Sequence, residues 1–487
     1  MVDPEHQNLS GRALKGGLWV FLAKGFEAGS RLLGNIVLAW LLFEEAFGIL
    51  VPVRVFLIGM QLFSDVGIGP SIVRSKRGED PTFLRTVWTV QVMRGLVLYG
   101  ICWALAGPYA RMIGDPLTAS GLPEQVMIHD LLLVAGLSAV FLGFRSPHWF
   151  TMDRRIAQGR KTMVLMLSQA ISLAVMLTWA YFDRNPLAMV VGGVTGAFCQ
   201  MLFSHLLLPG VGMRLRFEKA ALKELFGFGR WIFLSTALVF FAGQVDRVIV
   251  TDLLDAGPRG LYGIALVIAA LVPNILGSIS NSVVFPLWMA SAQKPGDHAK
   301  RLRRSRQGLL GIGMCGMLAI VMVAPFFFTI LYQPKYFGAA LIAQLLCIPF
   351  WFETLLASTS SALLVHGDSR SLSSGNFLVL LFKAPACWFG FQWGGLEGFI
   401  LGVAVGNIAG LVRLHLRLRH HKTPLAAQDL RATAMVFILG LVGFLISDSL
   451  MSLNLWVGVP LAALALGVLC LLPLMPAREL LLQRRKA

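Results

Sequence analysis

Apolar segments long enough to cross a lipid bilayer recur along the whole chain, and this feature constrains the fold more than any other. A transmembrane helix needs about 20 mostly apolar residues. Charged residues make up only 14% of the sequence, too little polar material to cover several soluble domains. We therefore predict an all-α polytopic membrane protein with about 14 transmembrane helices. The candidate spans lie near residues 16–43, 46–73, 84–111, 129–150, 161–182, 187–209, 226–251, 261–290, 307–332, 338–365, 372–393, 395–414, 432–450 and 453–475.

The distribution of lysine and arginine predicts the orientation of these spans. If the N-terminus lies in the cytoplasm, 32 of the 42 basic residues fall in cytoplasmic segments, Arg145 and Arg306 among them. Four fall outside, Arg259 among them, and six lie within spans. Cytoplasmic loops of membrane proteins are enriched in lysine and arginine, so both termini are predicted to be cytoplasmic. This topology explains the net charge of +17 without a nucleic-acid partner.

Three short sequence matches indicate an internal repeat. GLWVFL at 17–22 matches GRWIFL at 229–234, FGI at 47–49 matches YGI at 262–264, and SDVGIGP at 64–70 matches SNSVVFP at 280–286. The nearly constant offset predicts two six-span lobes with the same orientation, an arrangement common in transporters. We assign residues 1–211 to the first lobe, 212–422 to the second, and 423–487 to two appended spans and a basic cytoplasmic tail.

Several predicted spans carry charged side chains on one helical face. Lys24, Glu27 and Arg31 are spaced by three and four residues, which aligns them on a helix. The second span repeats the pattern with Arg54 and Asp65. Because the remaining faces are apolar, the charged stripes are predicted to face one another or a water-filled cavity rather than lipid.

Cations outnumber anions within the spans, and this excess predicts an anionic substrate. Planar guanidinium groups bind phosphate oxygens through paired hydrogen bonds. The alternative is that the charges pair structurally, as Glu27 with Arg31 or Asp246 with Arg247. The predicted substrate-binding residues are Arg31, Arg94, Arg247, Lys24, Arg54 and Lys383, and the residues predicted to couple or pair are Glu27, Asp65, Asp246 and Glu353.

The sequence lacks the motifs that would indicate ATP hydrolysis, disulfide bonds, a zinc site or a catalytic domain. The dipeptide Gly-Lys never occurs, so a phosphate-binding loop for ATP is absent from the sequence. The six cysteines lie in apolar segments without paired spacing, which predicts neither disulfides nor a zinc site. The connections are too short for a catalytic domain. We expect no catalytic residues, no metal and no cofactor.

Four segments resemble the Wzx-type polysaccharide flippases of the MOP (multidrug/oligosaccharidyl-lipid/polysaccharide) exporter superfamily. They are GGLWVFLAKGFEAGSRLLGNIVLAWLLFEEAFGILV, VGIGPSIV, GQVDRVIVTDLLDAGPRGLYGIALVI and LYQPKYFGAALIAQLLCI. The resemblance implies a MATE-like fold of two six-helix lobes around a cationic cavity that alternates between inward-open and outward-open states. It also implies the substrate, an undecaprenyl-diphosphate-linked oligosaccharide. The substrate would cross the bacterial inner membrane for O-antigen, capsule or exopolysaccharide synthesis, with membrane lipid, a polysaccharide polymerase and a chain-length regulator as expected partners.

Three other functions stay open on the sequence. A lipid II flippase of peptidoglycan synthesis would share the span number and a cationic cavity. A multidrug antiporter of the same superfamily would favour an acidic or aromatic cavity, which the cationic excess opposes. A polysaccharide polymerase or ligase would carry a large periplasmic loop, which this chain lacks.

The predicted topology can be tested by cysteine labelling in intact cells. A cysteine replacing Lys294 should resist an impermeant thiol reagent until the membrane is permeabilised, because the adjacent basic cluster holds this loop in the cytoplasm. A cysteine replacing Asp183 should react from outside. Labelling of the residue-294 cysteine in intact cells would overturn the topology.

Overall fold

The computed structural model describes residues 4–63, 68–75, 77–113, 124–154, 158–210, 212–280, 284, 288, 298–366, 368–453 and 455–485. Within these ranges the secondary structure is helical, without a β-strand. Internal packing divides the chain into two compact units. Unit 1 comprises Met1–Phe240 and Val250–Gly260, and unit 2 comprises Phe241–Ile249 and Leu261–Ala487. The lobe boundaries at 211 and 422 stay predictions.

Unit 1 is a bundle in which α4 packs against α5, α5 against α8, and α7 against both α1 and α8. The short helices α3 and α6 contact each other. Its helices are α1 (Pro4–Leu41), α2 (Glu44–Phe63), α3 (Ile68–Arg74), α4 (Pro81–Ile113), α5 (Glu124–Phe144), α6 (His148–Arg154), α7 (Gln158–Phe182), α8 (Leu187–Leu206) and most of α9 (Lys219–Leu253).

Unit 2 is a bundle in which α12 contacts α13, α15 and α16, while α13 packs against α14. The predicted appended spans, α15 and α16, thus pack on α12. The helices are α10 (Ala256–Ala269, whose first turn belongs to unit 1), α11 (Leu271–Ile279), α12 (His298–Leu331), α13 (Gly338–Val365), α14 (Ser369–His420), α15 (Ala426–Met451) and α16 (Leu455–Arg485).

The helices agree with the predicted membrane spans. Each predicted span includes a described helix, although the second is divided between α2 and α3, the fourth extends from α5 into α6, and the eighth is divided between α10 and α11. Among the described residues, nine helical segments are long and apolar enough to cross a membrane by length and composition. One of these, Arg370–His420, contains two predicted spans. The prediction of an all-α polytopic membrane protein is confirmed.

The two predicted spans within α14 form a helical hairpin. The chain reverses at Gly394 and Gly395, where Gly395 has φ 55°, a conformation that side-chain-bearing residues rarely adopt. The arms then approach so closely that a Cβ placed on Gly398 would lie 2.0 Å from the Gly390 carbonyl oxygen. Glycines at this seam permit the backbone contact that stabilises helix pairs in lipid.

A carboxylate closes the open end of this hairpin. Asp368 caps α14 by accepting hydrogen bonds from the Ser371 backbone nitrogen at 3.1 Å and its hydroxyl at 2.8 Å. Arg417, near the end of the second arm, donates to the same carboxylate at 2.6 Å. These donors hold the pKa of Asp368 well below its usual range. The ionised carboxylate therefore ties the two ends of α14 together.

The segment Val250–Gly260 is bound to unit 1 by a buried ion pair. Arg259 donates to the Glu124 carboxylate at 2.6 Å, and both side chains are almost fully buried. Sequence analysis placed Arg259 in an outside loop. The structure instead buries it, because Glu124 at the start of α5 supplies a matching charge away from water.

A second buried charge network joins three helices of unit 2. The Arg306 guanidinium on α12 donates to both carboxylate oxygens of Asp429 on α15, and to Ser358 and Thr359 of α13 at 2.9 Å each. Arg306 belongs to the basic run that sequence analysis assigned to a cytoplasmic loop. Helical periodicity places it on the same face as the buried Leu302.

Removing one partner of this network should destabilise unit 2 strongly. We expect Asp429→Asn to lower the free energy of unfolding by about 3–5 kcal/mol, because Arg306 would keep its buried charge without a counter-charge. Thermal unfolding of the purified protein in detergent measures the loss. Asp448→Asn, at an exposed position on the same helix, is the matched control. Equal melting temperatures for the two variants would contradict the prediction.

Candidate functional site

The predicted charged stripe on α1 forms a local ion-pair cluster. The Glu27 carboxylate accepts hydrogen bonds from Lys24 at 2.7 Å and from Arg31 at 3.0 Å. All three side chains are substantially exposed, so the cluster lies at a surface of the helix bundle rather than in its core. One carboxylate between two cations leaves a net charge of +1. The pairing of Glu27 with Arg31, given as the structural alternative, is present, and the cluster still offers positive charge.

The charges predicted on α2 and α4 are arranged differently. Arg54 is exposed on α2. Arg94 on α4 crosses to α2, where it donates to the backbone oxygen of Gln61 at 2.8 Å. Asp65 lies outside the described residues. Helix α2 therefore contributes its backbone, as well as its side chains, to the polar region around Arg94.

Arg94 lines a cavity of about 370 Å³ within unit 1. The lining includes a second guanidinium, that of Arg145, together with Gln61 and Gln91. Among the described lining residues there is no carboxylate. The volume lies at the lower end of the range for ligand pockets. The remaining lining residues are Ile58, Ile68, Gly95, Leu98, Ala139, Leu142, Gly143 and Phe150.

Arg145 was not among the site residues predicted from the sequence. It follows directly after α5, and the charge count assigned it to a cytoplasmic segment. The available signal was the aromatic pair that follows it: the Arg145 Cζ atom lies 4.4 Å from the Trp149 ring centroid and 5.6 Å from that of Phe150. Stacking on aromatic faces keeps a guanidinium at the helix end instead of in open water.

In unit 2, Lys383 and Asp246 form a buried pair. Their side chains are 6% and 9% exposed, with the Lys383 Nζ atom 3.8 Å from an Asp246 oxygen. That oxygen has no hydrogen-bond partner, while Lys383 donates to the Ala242 carbonyl at 3.0 Å. The predicted substrate cation Lys383 is thus held inside unit 2 beside a residue that was predicted to couple or pair.

Arg247 and Glu353 belong to the same region of unit 2. Arg247 donates to the Gln244 side chain at 2.6 Å. Lys383, Arg247 and Asp246 all act electrostatically on Glu353, which α13 contributes from the exposed side of that helix. The structure therefore brings four predicted residues into one cluster, comprising two cations and two carboxylates.

Comparison with known proteins identifies the family. A model described as "polysaccharide biosynthesis protein" matches residues 37–341, more than half of the chain. The chain belongs to the polysaccharide biosynthesis protein family. It is 23% identical to the lipopolysaccharide biosynthesis protein WzxC of Escherichia coli (strain K12) over 416 residues. The aligned region covers 83% of this chain and 80% of WzxC. It is 19% identical over 343 residues to the teichuronic acid biosynthesis protein TuaB of Bacillus subtilis (strain 168), covering 69% and 68% of the two chains.

Solved structures show the same fold. The lipid II flippase MurJ in an inward closed conformation matches with a TM-score of 0.72 at 12% identity, covering 96% of this chain and 100% of that one. An inward-facing multidrug resistance MATE family transporter of the MOP superfamily matches with a TM-score of 0.58 at 13% identity, over 88% and 98% of the two chains. The predicted MATE-like fold is confirmed, and the family that the matching model describes agrees with the predicted place of the chain in polysaccharide biosynthesis. The chain is a multi-pass membrane protein of polysaccharide biosynthesis.

The Lys383–Asp246 pair should show strong energetic coupling. We expect Lys383→Met to lower the free energy of unfolding by about 3–5 kcal/mol, because Asp246 would stay buried without its counter-charge. The double variant Asp246→Asn with Lys383→Met should lose less free energy of unfolding than the two single variants lose together. Thermal unfolding in detergent measures all three, with Arg419→Gln at an exposed position on α14 as the control. Additive losses would show that the two groups are independent.

Proposed function

We propose that this protein moves an undecaprenyl-diphosphate-linked oligosaccharide from the cytoplasmic to the periplasmic leaflet of the bacterial inner membrane. Movement occurs by alternating access through a cationic cavity. The product enters O-antigen, capsule or exopolysaccharide assembly, where the polymerase and chain-length regulator of the pathway act next. The protein is a transporter and not an enzyme, and both of its termini lie in the cytoplasm.

One observation carries the proposal. Two guanidiniums, Arg94 and Arg145, line a single cavity whose described lining contains no carboxylate. Guanidinium forks match phosphate oxygens in geometry and in charge, and paired hydrogen bonds of this kind are about twice as strong as neutral ones. A diphosphate supplies the negative charge that such a cavity lacks. The cluster of Lys24, Glu27 and Arg31 adds further positive charge at an exposed face of α1.

The relatives support the substrate class. WzxC and TuaB are named for the biosynthesis of lipopolysaccharide and of teichuronic acid. MurJ, which shares the fold, is named a flippase of lipid II. A multidrug antiporter fits less well, because the cavity that would bind a cationic drug is lined by arginine rather than by carboxylates.

The proposal assigns the substrate diphosphate to Arg31, Arg94 and Arg247, while Lys24, Arg54 and Lys383 shape the electrostatic field along the path. The carboxylates Glu27, Asp65, Asp246 and Glu353 balance this field or couple it to an ion. Guanidinium geometry and charge make separable contributions here, because lysine preserves the charge and loses the planar fork.

Export in cells lacking the native protein tests the proposal. We expect Arg31→Gln and Arg94→Gln to reduce surface polysaccharide, since each lost charge-assisted bond costs roughly 1.5–3 kcal/mol. That loss weakens binding about ten- to a hundredfold. Arg31→Lys and Arg247→Lys should fail nearly as badly as the corresponding Gln variants if phosphate geometry matters. Arg184→Gln, in an exposed connection, is the control at matched protein level. Normal export by both Arg31→Gln and Arg94→Gln would refute the cavity assignment.

A further inference from the structure

The C-terminal end of α5 has its carbonyl groups satisfied without Arg145. The two hydrogens of the Gln91 amide nitrogen on α4 are shared among the backbone oxygens of Leu142 at 2.9 Å, Gly143 at 3.1 Å and Arg145 at 2.9 Å. The Trp88 indole nitrogen donates to the Phe144 oxygen at 3.1 Å. Helix ends commonly attract a cation to their unpaired carbonyls. Here other donors already fill that role, so helix capping does not account for the Arg145 side chain.

The Arg145 guanidinium is positioned but incompletely hydrogen-bonded. Its Cζ atom lies 4.4 Å from the Trp149 ring centroid, which fixes the plane of the group. One terminal nitrogen reaches the Gln200 side-chain oxygen at 3.3 Å, a long bond. Its Nε atom is buried and has no hydrogen-bond partner. The Gln91 side-chain oxygen, in the same cavity, is likewise buried without a donor.

The charge of Arg145 is also poorly balanced. Asp153 attracts it, but the Asp153 carboxylate is already held by Lys161 at 2.6 Å. Arg94 repels it across the cavity. Burial adds a desolvation cost to the charged guanidinium. A bound anion would relieve both the repulsion and the desolvation.

We propose that the cavity of unit 1 is an oxyanion site in which Arg145 binds a phosphate-type group together with Arg94. The Gln91 amide nitrogen is already bonded to backbone oxygens at the end of α5, so the two guanidiniums are the donors that this site offers to an anion. Arg145 is the residue that determines specificity for tetrahedral oxyanions, because its stacked plane holds the fork in one orientation. The anion is either free phosphate or the diphosphate of a lipid carrier. The lipid source rests on the proposed function, whereas the oxyanion site does not.

The close approach of α4 and α5 supports a preformed site. The Cα atom of Gly143 would lie 3.1 Å from a Cβ placed on Gly95, and both glycines line the cavity. The contact between Gly95 and Gly143 fixes the backbone next to Arg94 and Arg145. A preformed pair of guanidiniums binds an oxyanion with little loss of conformational entropy.

Titration calorimetry on the purified full chain in detergent tests the site with three probes: inorganic phosphate, inorganic diphosphate and undecaprenyl diphosphate. We expect diphosphate to bind, and Arg145→Gln to weaken it roughly ten- to a hundredfold, the effect of losing one charge-assisted bond. Arg145→Lys should retain the charge over Trp149 and still bind more weakly than the wild type. The control is Arg160→Gln, which alters an exposed arginine on α7 of the same unit. This variant should bind diphosphate as the wild type does.

A measurement on the unaltered protein avoids dependence on variants that fold poorly. Phenylglyoxal modifies arginine, and mass spectrometry locates the modified peptides. We expect diphosphate to slow modification of Arg145 and Arg94 but not of Arg160. Absence of protection at Arg145, or wild-type affinity in Arg145→Gln, would overturn the oxyanion site.

The probes separate this inference from the proposed function. If inorganic diphosphate protects Arg145 and undecaprenyl diphosphate does not bind, the oxyanion site stands and the lipid-linked substrate is wrong. If undecaprenyl diphosphate binds the wild type and Arg145→Gln equally, the lipid-linked substrate survives and the site at Arg145 is wrong. If no phosphate probe binds the wild type, the oxyanion site is wrong.

Discussion

The absence of water from the bilayer interior is the constraint on which this structure depends. A charge inside the hydrocarbon region must be paired, or must face a water-filled or ligand-filled space. Among the described residues, three ion pairs buried inside the protein meet the same need: Arg259 with Glu124, Arg306 with Asp429, and Lys383 with Asp246. Each pair joins residues more than a hundred positions apart, so satisfying the charges also determines which helices pack together.

Close backbone packing is the second way in which the helices are held. Lipid tails are as apolar as leucine, so burying leucine against leucine gives little preference for protein over lipid. Glycine seams provide that preference by allowing contacts that larger residues would prevent, as in the α14 hairpin. The same seam serves the charged cluster, since a Cβ on Gly406 would lie 2.3 Å from the Lys383 Cβ. Packing and charge placement are therefore linked at Lys383.

Arg145 differs from the paired cations in a way that bears on transport. In the core of unit 2, Arg306 donates hydrogen bonds to the Asp429 carboxylate and to the hydroxyl groups of Ser358 and Thr359. Arg145 has a buried nitrogen without a partner and a neighbouring arginine that repels it. Under the proposed function, the carrier must release its anion and cannot neutralise every cation permanently. The contrast separates charges that hold the fold together from those that can serve a substrate.

The sequence by itself determined the helical class, the approximate positions of the spans and the link to polysaccharide biosynthesis. These depend on local properties: the length of apolar runs, the spacing of charges along one helix, and short characteristic segments. The α1 cluster was predicted for the same reason, because residues three and four apart on a helix are neighbours.

Only the tertiary structure decided which charges meet across helices. Arg259 and Arg306 look like loop cations in the sequence, because their partners lie on other helices and no local pattern marks them. For Arg145 the aromatic pair that follows it was the local signal, but only the structure shows that it lines a cavity with Arg94. On the sequence, Arg247 was the candidate partner of Asp246. The structure instead places Asp246 beside Lys383, which lies far along the chain. Counting charges predicted the excess of cations, but pairing depends on distances in three dimensions, which helix packing sets.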